Sequence, residues 1–232
     1  MMTFIVIESF ENKGHFVVWI VVGLCVLIAF LAIKHLIDRK KRNDAIRKVA
    51  ASIGFNYSFK KSIPDSFKCF GIYSEGSSHT GYNCITGMLD NLKVALMDFH
   101  YTITGSESTS DKTYRQTVLI LDTGEKKLPP FEIFPQTIFQ KLKTKVGYQD
   151  INFRSHPVFS ERYVVQGYYE DDIRKSMTEQ FLSSMETQTG LRIQCTGTKV
   201  IFYRKKYLLK ADEIEFFIDW GLQRINELEG RI

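Results

Sequence analysis

Neither GxxxxGK nor GxGxxG occurs anywhere in the 232 residues, so the common kinds of nucleotide chemistry lack their glycine-rich phosphate cradle. HExxH is missing among the five histidines, and there is no GxSxG elbow; the usual zinc-peptidase and serine-hydrolase signatures are thereby removed. Cysteine is sparse. Cys25, Cys69, Cys84 and Cys195 contain no pair at the short spacing of zinc and redox motifs. Cys25 lies in an apolar run, and the other three are an odd set that argues against a disulfide framework and suits a reducing compartment. They read as small buried hydrophobes. No cofactor and no metal are expected.

What the sequence does have is one long stretch without charge. Phe16 to Ile33 (FVVWIVVGLCVLIAFLAI) runs for eighteen residues, thirteen of them Phe, Val, Ile or Leu. Each of these contributes about 0.3–0.6 kcal/mol to insertion near mid-membrane. As a helix the run covers about 27 Å, close to the thickness of the hydrocarbon layer. A cleaved signal peptide would need basic residues before the run and a small-residue site after it. Instead Glu8, Glu11 and Lys13 precede it, and Lys34, His35, Arg39, Lys40, Lys41 and Arg42 follow. The run is therefore read as a single transmembrane helix.

The basic flank sets the expected orientation. Residues 34–61 hold nine Lys or Arg against two Asp, a net of +7, whereas residues 1–33 carry a net of −1. The positive side stays inside, which predicts a bacterial inner-membrane, single-pass protein with its N-terminus outside and its C-terminal domain cytoplasmic. The same distribution explains the overall charge of +5, because the residues from 62 onward sum to −1. A nucleic-acid binder needs a basic face on the domain itself, so no nucleic-acid partner is expected. The collar Lys34, Arg39, Lys40, Lys41, Arg42, Arg47 and Lys48 is the candidate membrane interface, attracted to anionic head groups by about 1 kcal/mol per well-placed cation.

Beyond the anchor, Ile46, Val49, Ala50 and Ile53 recur at helical spacing before Gly54, predicting a short amphipathic helix that continues the membrane helix and packs on the domain. Phe55, Tyr57 and Phe59 alternate like a strand that follows it. Residues 67–122 read as an antiparallel meander broken by turn-forming groups. Its strongest strand is 92–103 (LKVALMDFHYTI), and 114–121 (YRQTVLIL) returns beside it across a Ser-rich loop. Both alternations of these strands are apolar, so the sheet is expected to be covered on both faces. Pro129, Pro130 and Pro135 predict a surface crossover.

The second half is read as a helix near Thr137 to Val146, a strand at Tyr163 to Gln166 and one helix from Asp171 to about Gln188. A hairpin around Gly197-Thr198 and a terminal helix capped by Asp212 with Glu215 follow. Gly167 is read as permitting a turn, and Asp150 as a cap. The predicted organisation is a short tail at 1–15, a transmembrane helix at 16–37, a basic juxtamembrane segment and amphipathic helix at 38–61, and a cytoplasmic domain at 62–232 with possible sublobes 62–128 and 129–232. The fold class is α+β.

For chemistry, the best constellation is Asp98 and His100, which share a face of the 92–103 strand, with Arg115 on the returning strand. As catalytic candidates they would supply an acid, a base and an anion clamp for a membrane-tethered hydrolase. As structural residues they would satisfy one another, which is how most polar clusters on strands behave. His79 and His156 read as loop residues.

The succession MDFHY (97–101), RQTV (115–118), LPPFEIFP (128–135), DINF (150–153) and FSERYVVQG (159–167) resembles a family of uncharacterised bacterial membrane-anchored proteins. The resemblance spans roughly residues 45–204. It implies a bacterial source, an N-terminal membrane segment and an α+β cytoplasmic domain, and it brings no catalytic residues with it. The expected role is a binding or scaffolding module at the membrane surface, its partners the lipid bilayer with anionic head groups and a membrane protein of unknown identity.

Overall fold

A computed structural model describes residues 2–106, 109–124, 127–137 and 150–228, with side chains from residue 18 onward except Ser66. Beyond Thr137, the helix expected near Thr137 to Val146 lies outside the described residues. The chain divides into two units, Met1–Ala45 and Ile46–Ile232.

The first unit is helical. Helix α1 (Met2–Ser52) turns its large apolar side chains outward, Trp19 at 72 % exposure and Phe30 at 63 % among them. Such a surface is unfavourable in water and at home in hydrocarbon. Over Val18–Ser52 it is long and apolar enough to cross a membrane.

The last turns of α1 belong to the second unit. Ile46 and Ala50 are fully buried there, with Val49 and Ile53 packed beside them, so the predicted amphipathic stripe faces the domain core. Eight strands then form one antiparallel sheet: β1 (Asn56–Lys61), β2 (Ser77–Leu89), β3 (Leu92–Ile103), β4 (Lys112–Asp122), β5 (Leu128–Pro135), β6 (Tyr163–Gln166), β7 (Leu191–Gly197) and β8 (Lys199–Arg204). Their spatial order is β1-β2-β3-β4-β8-β7-β5-β6. Strands from both halves of the domain thus share one sheet, joined where β4 pairs with β8 from Val118↔Tyr203 to Asp122↔Lys199.

Side-chain alternation on β3 sorts the two faces. Leu92, Val94 and Leu96 enter the larger core, which also takes Leu119, Leu121, Val200 and Phe202 and is closed by helices α2 (Pro157–Arg162), α3 (Glu170–Ser176), α4 (Glu179–Glu186) and α5 (Ile214–Leu228). Gly221 lets α5 approach closely, since a Cβ there would stand 2.5 Å from Leu119 Cδ2. Met97, Phe99 and Tyr101 point to the opposite face and join Val118, Ile201 and Tyr203. That face is covered by an irregular strap with 3₁₀ turns at Asp65–Phe67 and Gly71–Ser74, whose Phe67, Phe70 and Ile72 are buried on it.

Several local expectations change. The proline-rich stretch is strand β5 rather than a surface crossover: Pro129 and Pro130 fall at the register shift between Leu128 and Phe131, where the ladder to β7 is interrupted and needs no donor from them. The single helix expected over 171–188 is two, because Thr178 leaves helical geometry (φ −65°, ψ 160°) and its hydroxyl caps α4 through the Phe181 N–H. The cap expected at Asp212 with Glu215 falls instead at Lys210 with Glu213: a 3₁₀ turn, Ala211–Glu213, leads into α5, and the Lys210 N–H donates to Glu213 Oε2 at 2.6 Å. Gly167 is required by space, as a Cβ would meet Ile173 Cδ1 at 2.3 Å. Asp150 accepts from the Val165 N–H at 3.2 Å, and the Ile151 N–H donates to the Val165 carbonyl at 2.8 Å, which occupies the outer edge of β6.

All four cysteines are unbridged, Cys84 and Cys195 buried and Cys69 exposed. Burial pushes the Cys84 thiol up to about 11 and the Cys195 thiol up to about 12. Iodoacetamide at neutral pH is therefore expected to alkylate Cys69 in the folded protein and Cys84 and Cys195 only after denaturation, as read by peptide mass spectrometry.

Candidate functional site

A bulge in β2 decides the surroundings of Asp98. Tyr82 pairs with Asp98 and Ile85 with Leu96, so Asn83 and Cys84 together oppose Met97. Asn83 adopts φ 47° there, a left-handed conformation that asparagine tolerates better than most residues. Its Nδ2 donates to Asp98 Oδ2 at 3.0 Å, and its Oδ1 accepts from the Tyr57 hydroxyl at 2.9 Å. The Thr117 hydroxyl donates to Asp98 Oδ1 at 2.8 Å and accepts from the Leu209 N–H at 2.9 Å. Asp98 is only 3 % exposed, and through these contacts with the Asn83 amide and the Thr117 hydroxyl it fastens β2, β4 and the 205–209 turn to β3.

The other two candidates lie farther along the same face. His100 is paired with Arg115 across the β3–β4 ladder, and its ring stands 4.7 Å from that of Tyr82. Arg115 is exposed. The three share a sheet face, but the carboxylate is enclosed by Asn83 and Thr117 while the guanidinium points to solvent. His79 and His156 are not simple loop residues. His79 stacks on Tyr73 at 4.2 Å and on Phe99 at 5.7 Å. His156 is buried at the start of α2, with the Ser155 and Ser183 hydroxyls at 3.0 and 3.1 Å from its two ring nitrogens. Among the described residues no group of three or more His, Cys, Asp or Glu is arranged to hold a metal ion.

On the opposite face two features stand out. At one end Glu75, from the strap, accepts from the Tyr101 hydroxyl at 2.8 Å and from Arg192 Nη1 at 3.3 Å, and Lys205 Nζ donates to the same carboxylate oxygen as Tyr101. Burial opposes its ionisation, but hydrogen bonds from Lys205 and Tyr101 and the charges of Lys205 and Arg192 outweigh this and lower its pKa below the ordinary 4.5. Burial first, and the Glu75 carboxylate second, raise the Tyr101 phenol. The cluster clamps the strap to β3, β7 and the end of β8.

At the other end, past Phe67, the strap no longer covers the sheet and leaves a groove of 390 Å³. Thr86, Met88, Ala95 and Ile120 form its floor and Pro64 and Phe67 its wall, with Lys93, Lys199 and Asp122 at the rim. Lys199 pairs with Asp122 at 3.3 Å, and Lys93 is exposed. Sequence reasoning missed this groove because β3 showed apolar residues on both alternations without showing how far the cover extends.

The collar residues lie along the second half of α1. Lys34, Arg39, Lys40 and Lys41 are exposed and Arg42 is half-buried. Within the domain unit Lys48 is exposed, and the Arg47 guanidinium lies 5.1 Å from the Tyr57 ring centroid.

The α+β class is thus defined by an N-terminal apolar helix, an eight-stranded antiparallel sheet and helices on one of its faces. No family model and no curated protein matches the chain. Among solved structures it is similar to the crystal structure of the mycobacterial trehalose monomycolate transport factor A, with a TM-score of 0.56 and 14 % identity, over 82 % of this chain and 93 % of that one. At that identity the likeness is one of fold, and the neighbour is bacterial.

Proposed function

We propose that this chain is a single-pass bacterial inner-membrane protein, N-terminus outside, whose cytoplasmic domain is a binding or scaffolding module held at the lipid surface. The observation that carries the proposal is the outward-facing apolar surface of α1 followed directly by the exposed cations Lys34, Arg39, Lys40 and Lys41. Anionic head groups and one or more membrane proteins are its partners. Confinement near the bilayer raises its effective concentration for such partners without any new contact. The name of the fold neighbour, a transport factor for trehalose monomycolate, supports a binding role over a catalytic one. The enclosure of Asp98 by Asn83 and Thr117 weakens the alternative of a membrane-tethered hydrolase built on Asp98, His100 and Arg115.

Two measurements test the topology and the anchor. Protease added to intact spheroplasts is expected to leave the domain uncut and to digest it only after lysis. A chain lacking residues 1–43 is expected to move from the membrane pellet to the supernatant. Digestion in intact spheroplasts, or unchanged fractionation of the truncated chain, overturns the proposal.

A further inference from the structure

The groove beyond Phe67 combines an apolar floor with a cationic rim. Thr86, Ala95 and Ile120 are each half-buried, and Met88 is 57 % exposed, so this strip of the sheet is only partly covered. A volume of 390 Å³ falls at the lower end of the range for small-molecule sites, about 300–1,000 Å³. Twelve residues line the groove, whereas a stable protein partner engages roughly 20–30 on each side. A small ligand therefore fits the dimensions better than a protein surface does. Lys93 and Lys199 against Asp122 leave the rim with one net positive charge, which complements an anion at the mouth. An apolar body with one anionic end describes a fatty acid, and fatty acids partition into the bilayer beside which the proposed function places this domain.

We propose that the groove binds one long-chain fatty acid, its acyl chain lying on Phe67, Ala95 and Ile120 and its carboxylate at Lys93. This rests on the membrane-anchored binding module proposed above and names the ligand of its domain. The occupied groove would complete the cover that the strap leaves unfinished, removing the Met88 and Ile120 side chains from water.

The test uses the full chain in phosphatidylcholine nanodiscs and a photoreactive diazirine analogue of myristic acid, with crosslinks mapped by peptide mass spectrometry. Two labelled regions are expected: the Phe16–Ile33 run, which reports lipid contact of the anchor, and the groove peptides around residues 64–67, 86–95 and 118–122. Met88→Trp and Ala95→Trp, which fill the floor, are each expected to reduce groove labelling about tenfold while anchor labelling stays constant as the internal reference. Lys93→Glu is expected to reduce groove labelling by the acid about fivefold and to leave labelling by the matching neutral alcohol unchanged. Anchor labelling without groove labelling overturns the ligand proposal and leaves the anchored module standing; loss of anchor labelling removes the anchored module instead. Groove labelling that survives both tryptophan variants, or a Lys93→Glu effect equal for acid and alcohol, also overturns the site as described.

Discussion

Glu227→Ala is expected to lower the stability of the domain by about 3–5 kcal/mol. Glu227 and Arg224 face each other one helical turn apart on α5 at 2.6 Å, with side chains 3 % and 6 % exposed. Glu227 Oε1 also accepts from Gln223 Nε2 at 3.1 Å, and Oε2 accepts from the Ser184 hydroxyl at 3.0 Å. Its backbone carbonyl accepts from the Thr178 hydroxyl at 2.8 Å, so one residue ties α4 and its N-cap to α5. Alanine would leave the Arg224 guanidinium buried beside Trp220, 5.1 Å from the ring, with its counter-charge gone. The cost is mainly that of the orphaned charge. The double variant Arg224→Met, Glu227→Leu is therefore expected to recover most of the loss, since an apolar pair of similar volume replaces two desolvated ions. Thermal unfolding followed by tryptophan fluorescence should show the single variant lower in Tm by about 10 °C and the double variant near the parent. Equal losses in both would show that the pair matters for its shape rather than for its charge.

The second large effect is pH-dependent. Glu75→Gln is expected to cost about 2–3 kcal/mol at pH 7, because it removes the charge in hydrogen bonds from Tyr101, Arg192 and Lys205. A carboxylate with a depressed folded-state pKa contributes stability that is fully present above the unfolded value and is lost as pH falls through the folded one. For Glu75 the parent protein should accordingly lose this contribution below about pH 4.5, its ordinary value, and the variant, already uncharged there, should lose nothing from this position. The difference in stability between the two, measured by urea unfolding across pH 3–7, is expected to shrink toward the acid end. A constant difference would place the effect in packing. Loss of the clamp should be local at first, loosening the strap over β3, β7 and β8 before the helix-covered face, and amide exchange at Ile72 and Tyr73 is the direct readout.

Local order in the chain made many elements legible in advance. The long apolar helix announced itself because eighteen uncharged residues at a stretch are rare outside such a helix, and Ile46 and Ala50 because a 3.6-residue period needs only a core to face. β3, β4, β6 and the β7–β8 hairpin followed from alternation and from Gly197. What the pattern misjudged was governed by partners far away in sequence. Pro129 and Pro130 look like strand breakers until the bulge opposite β7 is known to need no hydrogen there. Nothing around Asp98 in sequence announces the β2 bulge that turns Asn83 toward its carboxylate. The period across 171–188 suits one helix, and only the Thr178 contacts with Phe181 and Glu227 show why it breaks.

By itself, then, the amino-acid order determined that an apolar helix precedes a nearly neutral α+β domain and that a cationic collar stands between them, because insertion energy, charge and periodicity are properties of neighbouring residues. Only the tertiary structure decided that both halves of the domain share one sheet, that Glu75 meets cations more than a hundred residues away, and that the strap stops at Phe67 and leaves a groove. Those outcomes depend on which strand lies beside which and how far a covering segment reaches, and no local pattern encodes either.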